Sequence, residues 1–148
     1  MRIFLTGASG FVGRHLIKRL NNHEVTCFLR KDSEDLKNFK TVKGDLKYIA
    51  DVVNNLKDVD VVIHLAANLW VTDNHTMYLD NVVATKNIIE ACKKNGVKRI
   101  ITLSSSSATP ENLSEYGKTK LEADKLVMNS KLDYTILKPT MIYGDGGR

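Results

Sequence analysis

A chain of 148 residues, 43% hydrophobic and 26% charged, has the size and balance of one globular domain with a core of its own. The absence of any run of about 18 apolar residues excludes a membrane-spanning helix, and Met1-Arg2 leads straight into an apolar stretch, leaving no room for a signal peptide. A net charge of +5 permits an anionic partner, but the 22 Lys and Arg are scattered without a basic–aromatic stripe. A phosphorylated small molecule therefore satisfies the charge, and nucleic acid is not called for.

Strand-like and helix-like segments alternate along the chain, with no repeat and no linker. "RIFLT" (2–6) reads as a strand, and "FVGRHLIKRLNN" (11–22) as a helix carrying Val12, Leu16 and Leu20 on one stripe. "EVTCFLR" (24–30) and the short "KTVKGD" (40–45) read as strands, and "YIADVVNNL" (48–56) as a helix. "VDVVIHLAA" (59–67) is a nearly continuous apolar strand of the kind buried on both faces. A long helix is predicted over 77–95, with Val82, Thr85, Ile89 and Cys92 inward and Gly96 as its terminator. "VKRIITLSS" (97–105) is the fifth strand, 114–129 a further helix and "DYTILKP" (133–139) the sixth strand. Cys27 and Cys92 lie in apolar runs and read as buried free thiols of an intracellular, cytoplasmic protein rather than as a disulfide or metal site.

Six strands with helical crossovers specify a doubly wound parallel α/β sheet in three layers, with helices on both faces. A connection from the third strand to the fourth that passes over the first makes the order 3-2-1-4-5-6, the Rossmann arrangement.

"FLTGASGFVG" (4–13) falls where the first strand hands over to the first helix. Gly7 permits the tight turn, Gly10 lets main chain approach a pyrophosphate, and Gly13 lets the helix pack closely on the sheet. The unpaired N–H groups that open the helix favour phosphate.

With Thr6, this turn reads "TGASGFVG" and resembles the extended (epimerase/dehydratase/reductase) branch of the short-chain dehydrogenase/reductase superfamily. "GDL" (44–46), "VDVVIHLAA" (59–67), "NVVATKNIIEACKKNGVKRII" (81–101), "YGKTKLEADKL" (116–126) and "YTILKPTMIYGDG" (134–146) resemble further family blocks in the right order. The resemblance implies an NAD(P)-dependent enzyme acting on a nucleotide sugar or a related carbonyl or hydroxyl substrate. It implies that Thr6, Gly7, Ser9, Gly10, Phe11, Val12 and Gly13 hold the cofactor. Asp45 would approach the adenine, Ala66 and Ala67 would line the cofactor wall, and Leu46, Leu65 and Pro139 would lie beside it.

An NAD site usually has an acid about 20 residues past the glycine turn to bond the ribose. "FLRKD" places Arg30 and Lys31 there instead, with Asp32 further into the loop and away from the ribose. A guanidinium grips a 2′-phosphate that an acid would repel, so NADP(H) is favoured over NAD(H). The alternative is that Arg30 is a solvated strand end.

Tyr116 and Lys120 stand one helical turn apart on one face. A phenol with a pKa near 10 is a poor acid–base group at neutral pH, and a neighbouring ammonium lowers that pKa. Lys120 is assigned to the cofactor as well as to catalysis. The resemblance implies a third member, a Ser or Thr just past the fifth strand. Among Ser104, Ser105, Ser106 and Ser107 the pattern favours Ser105, with Ser106 next. At least two of the four would only satisfy strand-end backbone groups. Asn81 resembles a family asparagine and reads as structural or weakly supportive. His64 reads as a packed strand residue, and the four histidines show no metal-ligand spacing.

Two departures from the family stand out. Only ten residues separate Ser105 from Tyr116, shortening a loop that shapes the substrate pocket. The chain closes on "IYGDGGR", where family members continue into a substrate domain, so it reads as the cofactor-binding half of a longer enzyme. A different class of reading is a non-catalytic NADP sensor or interaction module. A homodimer through the helices at 77–95 and 114–129 is expected, with Ile88 and Leu121 off the inner face.

Overall fold

The computed structural model describes residues 1–70, 73–112 and 114–146, so Gly147 and Arg148 of the closing motif lie outside the described residues. Six strands form one parallel sheet: β1 (Arg2–Thr6), β2 (Glu24–Leu29), β3 (Lys40–Lys43), β4 (Val61–His64), β5 (Arg99–Leu103) and β6 (Asp133–Leu137). Their order is β3-β2-β1-β4-β5-β6, as the alternation of elements requires.

The pleat sends successive side chains to opposite faces. Ile3 and Leu5 of β1, Cys27 and Leu29 of β2 and Ile63 of β4 enter a core with Ile17 of helix α1 (Phe11–Ile17) and Leu36. Phe4, Phe28, Val62 and Ile100 enter the opposite core. They meet Val52 of α2 (Ile49–Val53), Ile88 and Cys92 of α4 (Ala84–Asn95) and Val127 of α5 (Glu115–Met128). Helices thus lie on both faces, but cover on the α1 side thins toward β6, where Leu137 is exposed. Cys27 and Cys92 are free and fully buried, and burial pushes their thiols up to about 11 and about 12.

Several boundaries shift for local reasons. The first helix stops at Ile17 because Arg19 and Leu20 donate three residues back, to Leu16 and Ile17, in tightened turns. Its buried face is Gly13 and Ile17, while Val12, Leu16 and Leu20 are only half-buried. The sixth strand ends before Pro139, which has no N–H for a ladder. The long helix begins earlier than expected, as α3 (Asn74–Tyr78), because the Asp73 carboxylate caps it by accepting the N–H groups of His75 and Thr76. It runs through a π-helical segment, Leu79–Val83, before α4 and ends at Gly96, whose φ of 70° suits glycine. Ile88 is fully buried in the core, which removes it from any outward dimer face.

Candidate cofactor cleft and the serine–tyrosine corner

Every loop that leaves the carboxyl end of β1, β2, β3 or β4 opens onto one cleft of about 830 Å³. Gly7, Ser9 and Gly10 follow β1, while Arg30, Lys31, Asp32 and Ser33 follow β2. Asp45 and Leu46 follow β3, and Leu65, Ala66, Ala67 and Asn68 follow β4. The cleft straddles β1 and β4, where successive connections turn in opposite directions along the sheet and open α/β folds bind ligands.

The glycine corner is fixed by backbone contacts. Gly7 has φ of 74°, and a Cβ there would stand 2.7 Å from the Ala66 nitrogen. A Cβ on Gly13 would stand 2.2 Å from the Gly7 carbonyl oxygen. Gly10, by contrast, faces the cleft with an ordinary φ of −75°. Gly13 is a support beneath the turn, and Phe11 and Val12 are likewise not on the cleft wall. Asn87 donates to the carbonyls of Leu46 and Lys47 at 2.9 Å each and so holds the β3 loop against α4.

Thr6 is fully buried and acts through His64 rather than on the cleft. The Thr85 hydroxyl donates to the Asn81 carbonyl at 2.7 Å, so at its 3.1 Å contact with His64 it must accept from Nε2–H. Nδ1 then accepts the Thr6 hydroxyl at 2.7 Å, while Thr6 Oγ1 accepts the Ala66 N–H at 3.3 Å. One neutral tautomer satisfies this chain, and burial, aided by the Lys120 charge, pulls the His64 pKa down to about 3. Asn81 extends the network: its amide donates to the Asn68 carbonyl at 3.0 Å and to Thr119 of α5 at 3.1 Å. Buried polar groups thus bind the glycine corner to the helix that carries Tyr116.

The second corner lies where β5 meets α5. Ser104 is buried and donates to the Asp124 carboxylate at 2.7 Å, which leaves it no reacting role. Ser106 is exposed, and its N–H donates to the Pro139 carbonyl at 2.8 Å. Pro139 therefore braces the serine turn and is not on the cleft wall. Ser105 is half-buried, accepts the Ser107 N–H at 3.1 Å and neighbours the Tyr116 phenol. A Cβ on Gly117 would lie 2.6 Å from the Ser107 carbonyl oxygen, so this glycine sets how closely α5 approaches the serines. Lys138 joins the brace, its ammonium 3.0 Å from Asp124 and donating to the Ala108 carbonyl at 3.1 Å.

The electrostatics correct one expectation. Lys120 is 7% exposed and donates to the Leu103 carbonyl at 2.7 Å. Burial lowers its pKa to about 8, against the pull of Asp124. The Tyr116 phenol is held above its usual value by burial, opposed by Ser105 and reinforced by Asp124. Desolvation of the anion outweighs any help from the ammonium. Asp32, expected to stand away from the ribose, is on the cleft rim, paired with Lys43 at 2.6 Å. Phe28, Asn68, Asp80 and Ala84 also line the cleft and had no signal in a linear motif.

The residues fit a dinucleotide. A cleft wall of Gly7 and Gly10, which have no side chains, and the small Ala66 and Ala67 suits a flat, phosphorylated ligand lying against backbone. Fold and cleft define a dinucleotide-binding α/β domain. The chain belongs to the NAD(P)H-binding family, whose model matches residues 7–148. It is 30% identical to the UDP-glucose 4-epimerase of Vibrio cholerae, a match covering 97% of this chain and 52% of that protein. The UDP-glucuronic acid 4-epimerase of Bacillus cereus, solved in complex with NAD, superposes with a TM-score of 0.84 at 29% identity, covering 97% of this chain and 57% of that one. MoeE5 in complex with UDP-glucuronic acid and NAD superposes with a TM-score of 0.81 at 32% identity, covering 92% of this chain and 52% of that one. The chain spans about half the length of these proteins. The resemblance to extended short-chain dehydrogenases holds at the level of family and fold. Among the described residues, no helix is long and apolar enough to cross a membrane.

Proposed function

We propose that this chain is the NADP(H)-binding domain of a cytoplasmic oxidoreductase or epimerase-type enzyme whose substrate is a nucleotide sugar or a related carbonyl or hydroxyl compound. The observation that carries the reading is the cleft at the β1/β4 switch point, where Gly7 and Ala66 bring two backbones into contact beside Arg30 and Lys31. The names of the epimerase relatives support the substrate class, and the buried, weakly acidic thiols suit a reducing compartment.

A nicotinamide cofactor in this cleft would supply the hydride donor or acceptor. Ser9 and the backbone of Gly7 and Gly10 would hold its diphosphate, Asp45 and Leu46 its adenine end, and Ala66 and Ala67 its flank. Arg30 and Lys31 would hold a 2′-phosphate. Tyr116, its pKa raised by burial, gives its proton to a substrate carbonyl oxygen on reduction and takes the hydroxyl proton back when the substrate is oxidised. Ser105 offers that oxygen a second hydrogen bond. Lys120 keeps the end of β5 and the helix in register through Leu103 and supplies positive charge beneath the site.

Fluorescence titration of the chain with NADPH and NADH tests the cofactor assignment. NADPH should bind at least about tenfold more tightly, and equal or tighter binding of NADH would overturn it. Tyr116→Phe should leave NADPH affinity within about twofold and abolish hydride exchange with a UDP-sugar in any form of the protein that turns over. Retained exchange would remove Tyr116 from its role.

A further inference from the structure

We propose that Asp80 sets the balance between the two nicotinamide dinucleotides by competing with a 2′-phosphate for the Arg30 guanidinium. This rests on the reading of the cleft as a dinucleotide site with Arg30 at its phosphate end. Asp80 is carried into the cleft wall by the π-helical segment Leu79–Val83, a helix irregularity of the kind that accompanies functional sites. Its side chain is only 10% exposed, and the Asn68 amide donates to Oδ2 at 2.7 Å, which fixes the carboxylate in place. Arg30 Nη1 stands 3.5 Å from the same oxygen, and this is the one ion pair Arg30 makes among the described residues. Lys47 Nζ is 3.9 Å from Oδ1 and is shared with Asp45 at 3.4 Å.

The guanidinium is 61% exposed and free to swing, whereas the acid is not. A bidentate grip on a phosphate must share the Arg30 guanidinium with Asp80, whose carboxylate stands 3.5 Å from Nη1, or draw it away from that carboxylate. A phosphate at that position would also meet the fixed carboxylate as a like charge. A ribose carrying only hydroxyls disturbs neither charge. Arg30 therefore favours NADP(H), Asp80 opposes it, and the preference of the cleft is the difference between them.

Asp80→Asn removes the charge while leaving an oxygen to accept from Asn68. NADPH and NADH binding to the chain, read by cofactor fluorescence, should separate the effects. The substitution should tighten NADPH about tenfold and move NADH less than about twofold, with the gain fading at high salt. In the Arg30→Ala background the gain should shrink to the part that comes from direct repulsion between the Asp80 carboxylate and the phosphate, and a gain of undiminished size there overturns the competition. Asp80→Ser should act in the same direction and replaces the first variant if that one does not fold. An unchanged NADPH-to-NADH ratio in a folded Asp80 variant, or an equal gain for both ligands, overturns the proposal. If Arg30→Ala alone leaves NADPH affinity unchanged, the 2′-phosphate assignment itself has failed, and the proposal with it.

Discussion

Lys120 donates to the carbonyl of Leu103 at 2.7 Å, so an ammonium buried to 7% exposure clasps the end of β5 to α5. Sheet and helix meet at this bond, and the charge it buries makes the fold sensitive to alkaline pH. The Lys120 pKa is lowered from 10.5 to about 8, so the unfolded chain binds the extra proton between those values. Stability therefore rises with pH across that window, and the full penalty is present below it. Lys120→Met lacks this dependence. The stability gap between variant and wild type should shift in favour of wild type by roughly 2 kcal/mol from about pH 7 to about pH 10. Urea unfolding along a pH series measures it, and parallel curves would mean the ammonium is not desolvated.

Burial gives the phenol of Tyr116 the opposite sense. Its titration, taken as the difference between wild type and Tyr116→Phe in the ultraviolet tyrosinate band, should have a midpoint above 10, the ordinary value. Ser105→Ala should move the midpoint higher, because the serine favours the phenolate. Asp124→Asn should move it lower, because Asp124 disfavours it. A midpoint below the ordinary value would restore the view that Lys120 governs the phenol.

His64 offers an acid-side test. Its pKa falls from 6.5 to about 3 on folding, so the native state resists the proton that the unfolded chain takes up. The associated stability is complete above 6.5 and is lost as pH drops toward the lower value, by at most about 1.4 kcal/mol per unit. His64→Leu strands the Thr6 hydroxyl and should cost about 1–3 kcal/mol at neutral pH. Its unfolding should also be less steep on the acid side. Nitrogen-15 spectra of the imidazole should show the Nε2–H tautomer with no titration between about pH 5 and 8. A ring that titrates near its free value would break the hydrogen-bond chain from Ala66 to Asn81.

These features differ in how far the linear sequence reveals them. The apolar runs of β1 and β4 and the spacing of Gly7 and Gly13 are legible because each reflects a local demand: burial on two faces, a left-handed turn, a contact with no room for Cβ. The spacing of Tyr116 and Lys120 correctly implies a shared helix, but the sign of the phenol shift depends on desolvation, which only packing determines. Asp80 reads as an ordinary helix residue until the π segment rotates it into the cleft. Ile88 looks eligible for an outer face by pattern, yet α4 is covered by both α2 and α5, so the residue is core.

Two glycines of the corner, Gly13 and Gly10, separate folding from binding. Alanine at Gly13 would put a methyl 2.2 Å from the Gly7 carbonyl oxygen and 2.6 Å from the Ala8 Cα, and neither is a flexible side chain that could yield. Helix α1 must move off the sheet, at a cost of about 2–4 kcal/mol. Alanine at Gly10 meets only the Gly7 carbonyl, at 3.2 Å, in a φ that alanine accepts. The loss there should stay below about 1 kcal/mol, because Gly10 makes no side-chain cap to lose. Gly10 nevertheless lines the cleft, so its methyl would occupy space that a diphosphate needs against the backbone. Urea unfolding and NADPH titration of both variants should thus diverge: Gly13→Ala loses stability first and binding as a consequence, whereas Gly10→Ala keeps the fold and loses affinity by about tenfold or more. Undiminished NADPH affinity in a folded Gly10→Ala protein would move the diphosphate away from this corner.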